Sequence, residues 1–186
     1  MKKASVFGYV MRLTMTLLII AAVVAAALAA VNKMTEPIIT QSTLEKTQKA
    51  IEAVLPGGYQ KEITEFLDDT GLVTKVYEGE SGYAVEVTPA GFDGPITLMV
   101  GVGKDGKVLG ISVISHTESA GLGAVAASTT SAGTAFRDQF VGQGEVRVDK
   151  DGGQIDAITN ATITSRAICD GINAAIACTA GLGGGS

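Results

Sequence analysis

A hydroxyl-rich segment near the C-terminus carries the residue types best suited to holding a phosphate group. It runs from Asp156 to Arg166, reads DAITNATITSR, and leads into an apolar, helix-forming stretch. The start of a helix presents unpaired N–H groups and the positive end of the helix dipole, so it attracts phosphate. Thr162 would place a hydroxyl there, with Thr164 and Ser165 beside it. The alternative is an ordinary capped helix, because threonine and serine are also common caps.

A second candidate segment lies upstream and is rich in glycine. It reads HTESAGLG and runs from His116 to Gly123. Glycines let a backbone turn tightly and approach another group closely. A glycine-rich surface turn explains the pattern equally well, and His116 taken alone is more typical of a structural residue than of a ligand. The residues by themselves leave both interpretations open.

Other kinds of chemistry have little support in the sequence. Cys169 and Cys178 lie in one predicted helix, where nine residues of rise separate them by roughly 13 Å, too far for a disulfide. No CxxC, CxxCH or paired Cys/His spacing is present, so zinc, haem and iron–sulfur sites are not predicted. The net charge of −5 gives no electrostatic basis for binding nucleic acid. We therefore expect neither a metal nor a nucleic-acid partner.

An uncharged run over residues 13–31 predicts a transmembrane helix. As a helix it spans about 28 Å, close to the roughly 30 Å hydrocarbon core of a bilayer. The basic residues Lys2, Lys3 and Arg12 precede it, so we expect residues 1–12 in the cytoplasm and the chain after Asn32 outside. A cleaved signal peptide is the alternative, although the run exceeds the usual apolar region of about 7–15 residues. Its alanine-rich face would let a neighbouring membrane helix approach closely.

We expect the rest of the chain to form three parts: a membrane-proximal part (residues 32–69), an α+β domain (residues 70–179) and a flexible glycine-rich tail (residues 180–186). The proximal part is predicted as an extended spacer over residues 35–42, followed by a helix that Ser42 caps. The predicted strands precede the predicted helices, which is typical of α+β folds. Within the strands, β-branched residues occur at nearly every second position, which predicts a mostly antiparallel sheet with one buried face and flanking helices. The predicted segments are strands 72–77, 83–87, 96–102, 108–115 and 145–148 and helices 132–141 and 163–179.

The segment from Asp156 to Thr162 resembles the flavinylation motif of the FMN-binding domain family, D-x-x-[ST]-G-A-T. In that family a flavin transferase links the FMN phosphate to the last threonine, and the resemblance implies a covalent FMN on Thr162. It also implies that the transferase recognises Asp156, Thr159 and Ala161. Asn160 departs from the family's usual glycine. Asparagine enters left-handed backbone geometry more readily than most residues, so we expect the tight turn to persist.

The upstream segment is similar to the family's H-x-E-T-P-G-L-G loop, which packs on the flavin, with Ser119 and Ala120 in place of Thr-Pro. Both motifs occur in the family's order, and the resemblance covers roughly residues 70–179. The cofactor-contacting residues that it implies are His116, Glu118, Ser119, Gly121, Leu122, Gly123, Thr159, Asn160, Ala161, Thr164 and Ser165.

Within this family, the chain length and the run from Thr164 to Ala167 most resemble the G subunits of Rnf-type complexes, which are ion-translocating ferredoxin:NAD⁺ oxidoreductases. The resemblance implies an electron-transfer subunit without catalytic residues of its own, anchored in the cell membrane beside other membrane subunits. The C subunit of the sodium-pumping NADH:quinone reductase is the close alternative. An anchored regulatory FMN-binding module, or a scaffold that has lost its flavin, would fit the anchor and domain as well.

Overall fold

The computed structural model describes residues 3–182 of the chain. The chain divides into two compact units, with the boundary between Glu45 and Lys46. The helices are α1 (Lys3–Val54), α2 (Ser131–Asp138) and α3 (Thr162–Leu182), and the strands are β1 (Lys61–Ile63), β2 (Val73–Glu78), β3 (Gly82–Val87), β4 (Thr97–Gly103) and β5 (Val108–Ser115). Two short 3-10 helices cover Gly123–Ala127 and Asp149–Asp151.

The first unit consists of α1 as far as Glu45 and contains an apolar stretch, Gly8–Lys33, with a mean hydropathy of 2.6. This stretch includes residues 13–31 and is long and apolar enough to cross a membrane. Within it the hydroxyls of Thr14 and Thr16 donate to carbonyls four residues earlier, at 2.9 and 2.8 Å. These bonds satisfy polar groups that lipid could not.

The predicted extended spacer is wrong, because residues 35–42 are helical and Ser42 lies inside α1 rather than at a helix start. The spacer prediction rested on Pro37, which lacks an N–H and restricts the residue before it. Pro37 removes one backbone hydrogen bond, whereas each further residue that continues an existing helix adds one. Helix propagation between two helix-forming runs therefore outweighs the local preference.

The second unit is built on a five-stranded sheet with the order β1-β2-β3-β4-β5, in which every neighbouring pair is antiparallel. The predicted α+β class and the mostly antiparallel sheet are confirmed. The four predicted main strands are present to within about one residue of their ends. Strand β1 was not predicted, because its three residues, KEI, are too few and too polar for an alternating pattern to show.

The sheet is buried on both faces, so the expectation of one buried face is wrong. One face packs on α3 through a core that includes Val85, Leu98 and Ile172. On the other face Met99 and neighbouring residues pack under the C-terminal end of α1, which contributes Ala50, Ile51 and Val54, and under Leu55 directly after it. Gly101 makes this approach possible, because a Cβ there would collide with the backbone of Val54.

The segment 145–148 is not the small edge strand that the sequence predicts. Val148 forms a single isolated bridge to Ile155, and the backbone of Val146 is held by a side chain of α3 instead. Asn173 Oδ1 accepts from the Val146 N–H at 3.0 Å, and its Nδ2 donates to the Val146 carbonyl at 2.8 Å. One amide side chain thus satisfies the polar groups that a neighbouring strand would have paired.

The last helix, α3, begins at Thr162 and runs to Leu182, three residues beyond its predicted end. It therefore includes the first residues of the predicted tail, and residues 183–186 of that tail lie outside the described part of the chain. Cys169 and Cys178 are both buried in α3 as free thiols, which confirms that they form no disulfide.

Candidate functional site

The two candidate segments meet at one cavity of about 330 Å³. Three parts of the chain form it: the connection between β3 and β4, the loop that follows β5, and the start of α3. Eight of the residues predicted from the two motifs line it, together with two that were not predicted. The lining residues are Phe92, Glu118, Ser119, Leu122, Gly123, Asn160, Ala161, Thr162, Ile163 and Thr164.

A tight turn places Thr162 at the first residue of α3. Asn160 has φ of 61° and is the one non-glycine residue with positive φ among those that the structure describes. The turn closes through a hydrogen bond of 2.9 Å from the Ala161 N–H to the Ile158 carbonyl. Ser165 Oγ then joins both ends, accepting from the Ile158 N–H and donating to the Ala161 carbonyl, each at 3.0 Å. The geometry expected for Asn160 is confirmed.

The beginning of α3 is suited to an anion. The first backbone hydrogen bond at the start of α3 runs from the Ser165 N–H to the carbonyl of Ala161, four residues earlier, at 3.0 Å. The preceding N–H groups, those of Thr162, Ile163 and Thr164, have no carbonyl one turn earlier to bind. Thr162 is half-buried and lines the cavity at this position. A phosphate attached there would meet the positive end of a 21-residue helix.

Glu118 joins the three parts of the chain that form the cavity. Its side chain is buried, with 7% of the residue exposed. One carboxylate oxygen, Oε1, accepts from the N–H groups of Phe92 and Asp93 at 2.8 and 3.1 Å. The other, Oε2, accepts from the Thr164 hydroxyl at 2.5 Å. Ser119 adds a second connection by donating to Asp93 Oδ2 at 2.5 Å.

The rim of the cavity is apolar and open to solvent. Phe92, Leu122 and Ile163 line it and are 68%, 41% and 50% exposed. Large exposed apolar side chains around a cavity indicate a binding surface for an apolar ligand or partner. The cavity thus combines an apolar mouth, which suits a flat aromatic ring, with a hydroxyl at a helix start, which suits a phosphate. Both halves of FMN therefore fit the residues present.

Five of the predicted residues do not line the cavity. Asp156 and Thr159 are exposed in the turn before α3, and Ser165 is buried beneath that turn. Gly121 is exposed with φ of 77°, so it shapes the loop after β5. His116 directly follows β5, and its Nδ1 is buried without a hydrogen-bond partner. The roles assigned to these five residues stay predictions.

Arg166, which the sequence places within one turn of the acceptor hydroxyl, is engaged elsewhere. It forms two hydrogen bonds with Asp151, from Nε at 2.7 Å and from one terminal nitrogen at 2.6 Å. This hydrogen bonding lowers the pKa of Asp151 from its usual value and raises that of Arg166. Arg166 does not line the cavity, so the N–H groups of α3 remain as the anion-binding groups there.

Two lining residues were missed by sequence reasoning. Ile163 had been assigned to the helix, where an apolar residue is usually expected to face the core. Phe92 lies in the turn AGFDGP between β3 and β4, and it is two-thirds exposed although it is aromatic. A large apolar residue in a turn of glycine, aspartate and proline is the signal that could have identified it.

Comparison with known proteins gives consistent results. Residues 91–177 match the FMN-binding domain family. The chain is 32% identical over 177 residues to the G subunit of the ion-translocating oxidoreductase complex of Methanosarcina acetivorans, covering 89% of this chain and 92% of that protein. It is 31% identical to the G subunit of the Na⁺-translocating ferredoxin:NAD⁺ oxidoreductase complex of Acetobacterium woodii, covering 90% of each. The corresponding G subunit of the proton-translocating complex of Clostridium ljungdahlii is 30% identical, with 92% and 90% covered.

Proposed function

The chain belongs to the FMN-binding domain family and, within it, to the G subunits of ion-translocating oxidoreductase complexes, and we propose that it carries FMN as a phosphate ester on Thr162. In this proposal it transfers electrons inside a membrane-bound, Rnf-type ferredoxin:NAD⁺ oxidoreductase whose electron flow drives ion translocation. The observation that carries the proposal is the position of Thr162, at the first residue of α3 and on the wall of an apolar-rimmed cavity. The names of the relatives support a G subunit over the C-type subunit of a quinone reductase.

The engagement of the neighbouring hydroxyls supports Thr162 as the acceptor. The hydroxyl of Thr164 is bound to Glu118, and that of Ser165 is bound within the turn. Thr159 is exposed and does not line the cavity. The Thr162 hydroxyl lies on the cavity wall and has no hydrogen-bond partner among the described residues. It is therefore the hydroxyl that a flavin transferase could join to phosphorus without breaking a structural bond.

FMN would supply the redox chemistry, by accepting and donating electrons, while the protein positions it and sets its environment. The residues of this chain have three tasks in that arrangement. The N–H groups at the start of α3 hold the phosphate, and the rim formed by Phe92, Leu122 and Ile163 contacts the ring. The loop after β5, held by Glu118, closes the remaining wall. A covalent ester would retain the cofactor outside the cytoplasm, where a dissociated flavin would be lost.

The proposed placement has α1 in the membrane and the second unit outside the cytoplasm. The single described candidate span, Gly8–Lys33, and the relationship to complex subunits support membrane association. The positive charges before the span support an inward N-terminus. Other membrane subunits of the complex are the proposed electron-transfer partners, and a flavin transferase is the proposed maturation partner.

Intact mass of the purified full chain tests the ester. We expect wild type to exceed its sequence mass by one FMN minus one water, with flavin fluorescence that stays with the band after denaturation. Thr162→Ala should remove both signals, because no other free hydroxyl lies among the described residues at the start of α3. Thr162→Ser keeps a hydroxyl and should retain partial labelling, and Thr129→Ala, at an exposed threonine outside both motifs, is the matched control that should label fully. Retained fluorescence in Thr162→Ala would falsify the assignment.

Membranes test the electron-transfer role. In a host that lacks its own copy of this subunit, wild type should restore ferredoxin-dependent reduction of NAD⁺ by the membranes, whereas Thr162→Ala should not, even when the subunit is present at equal amounts. An anchored regulatory FMN module predicts labelling of Thr162 with no effect on this activity. Full restoration by Thr162→Ala would contradict the proposed function.

A further inference from the structure

We propose that Glu118 is a positioning residue whose ionised carboxylate, on the cavity wall, lowers the midpoint potential of the FMN held there. The inference rests on the proposed function, because it requires FMN in this cavity. It concerns a property that neither the motif nor the family assigns, namely which side chain sets the redox potential. Three features of Glu118 support it: its hydrogen bonds, the space made for it, and its separation from solvent.

All three hydrogen bonds around Glu118 are donated to its carboxylate. The three donors are two backbone N–H groups and one hydroxyl. A carboxylate accepts hydrogen bonds at both oxygens, and here both oxygens have donors. No lysine, arginine or histidine forms an ion pair with Glu118 in the described part of the chain. Its charge is stabilised by dipoles and is not cancelled by a cation.

Two glycines make room for this carboxylate. A Cβ at Gly91 would collide with Glu118 Oε1, and a Cβ at Gly123 would collide with Oε2 and with the Thr164 hydroxyl. Any side chain at either position would displace the carboxylate from its donors. The charge is therefore held at a defined point where the β3–β4 connection, the loop after β5 and the start of α3 meet.

Burial determines how strongly this charge acts on a ring in the cavity. Glu118 is 7% exposed and lines the cavity, so little water lies between its carboxylate and a bound ligand. A charge in such a place is screened far less than one at the surface. Reduction of the FMN ring by two electrons from the electrode, with uptake of one proton from solvent, leaves the ring with one added negative charge. A fixed negative charge beside the ring opposes that gain and lowers the midpoint potential.

Glu118→Gln separates the charge from the geometry. The glutamine carbonyl oxygen can accept from the Phe92 and Asp93 N–H groups, and its NH₂ group can donate to Thr164 Oγ1, which is also an acceptor. The shape and the three contacts are kept, and the charge is removed. Asp93→Asn is the matched control, because Asp93 is exposed, lies at the same corner of the site, and can still accept from Ser119 as an amide.

The experiment is a spectroelectrochemical titration of the full chain in detergent, with each potential measured per bound FMN. We expect Glu118→Gln to shift the midpoint potential to more positive values, by clearly more than Asp93→Asn does. A shift no larger than that of Asp93→Asn would overturn the inference while leaving the proposed function intact. Absence of flavin from wild type would overturn both, and the fluorescence of the denatured band reports that outcome separately.

A second measurement needs no variant, in case Glu118→Gln fails to fold. Infrared difference spectra of wild type, reduced minus oxidised, should contain a carboxylate band that shifts when the protein is labelled with ¹³C-glutamate. A buried carboxylate next to the ring must respond to the change in flavin charge, whereas solvated glutamates respond weakly. A difference spectrum without any glutamate-sensitive carboxylate band would refute the role of Glu118.

Discussion

The backbone of Asn160 is the feature of the site whose energetic cost can be worked out most directly. Its φ of 61° lies in the left-handed region, which costs an L-residue roughly 1–2 kcal/mol unless it is glycine, asparagine or aspartate. A β-branched side chain is the least compatible with this region. Asn160→Val should therefore lower the free energy of unfolding by about 1–2 kcal/mol. For a chain of this size that corresponds to a fall in Tm of about 2–8 °C.

Asn160→Gly should differ little from wild type. Asparagine already adopts this region at little cost, so glycine relieves little strain, while it gains conformational entropy in the unfolded chain, a cost of about 0.4–1 kcal/mol. The two effects oppose each other, so we expect a net change within about 1 kcal/mol. Thr129→Val is the matched control: it introduces the same side chain at an exposed loop residue outside both motifs and without positive φ. It should stay within about 0.5 kcal/mol of wild type.

The assay is thermal unfolding of the full chain in detergent, together with the rate of FMN incorporation by a flavin transferase. Because the turn at Asn160 sets the position of Thr162, Asn160→Val should also slow incorporation relative to Thr129→Val. Equal melting temperatures and equal incorporation rates for these two variants would show that the left-handed turn neither stores strain nor positions the acceptor. A lower Tm with normal incorporation would refute the second half of the reasoning alone.

Two further predictions concern topology and pH. A cysteine at exposed Lys104, in the turn after β4, should react with a membrane-impermeant maleimide on intact cells, whereas one at Lys2 should react after lysis; the reverse pattern would overturn the proposed orientation. The background is low because Cys169 and Cys178 are buried, and burial raises the pKa of Cys169 to about 12. Burial, with the nearby charges of Glu62 and Glu86, raises the pKa of Tyr77 to about 12. The unfolded tyrosine ionises near pH 10, so stability should fall as pH rises from about 10 towards 12, and an equal loss in Tyr77→Phe would contradict this assignment.

Periodicity predicted the elements that have a strong pattern of their own. The alternating β-branched residues of β5 and the apolar face of α3 identified those elements nearly to their ends. Prediction failed where a distant contact decided the structure. The segment 145–148 has strand-forming residues, but the Asn173 side chain of α3 binds the backbone of Val146. Among the described residues, these backbone groups therefore pair with no neighbouring strand. Residues 35–42 failed for a different, local reason: the helix continues through them from both sides in spite of Pro37.

The same division applies to the candidate site. Spacing and residue type were enough to make Thr162 a candidate for holding a phosphate, because a hydroxyl at the start of a helix is a local property of consecutive residues; the family resemblance favoured that role over an ordinary helix cap. They also selected Asn160 as a residue able to make the tight turn. They could not show that Phe92 joins the site, since Phe92 lies about 70 residues upstream of Thr162 and only the folded sheet brings them together.

The sequence alone therefore determined what is local: the apolar span, the α+β class, the helix start with the Thr162 hydroxyl, and the family. Tertiary structure decided what depends on contacts between distant residues. It buried the second face of the sheet under the end of α1, where Gly101 leaves space for Val54. It also placed the Glu118 carboxylate between Phe92 and Thr164. A buried charge needs donors from several segments at once, and no periodicity along the chain records which segments will supply them.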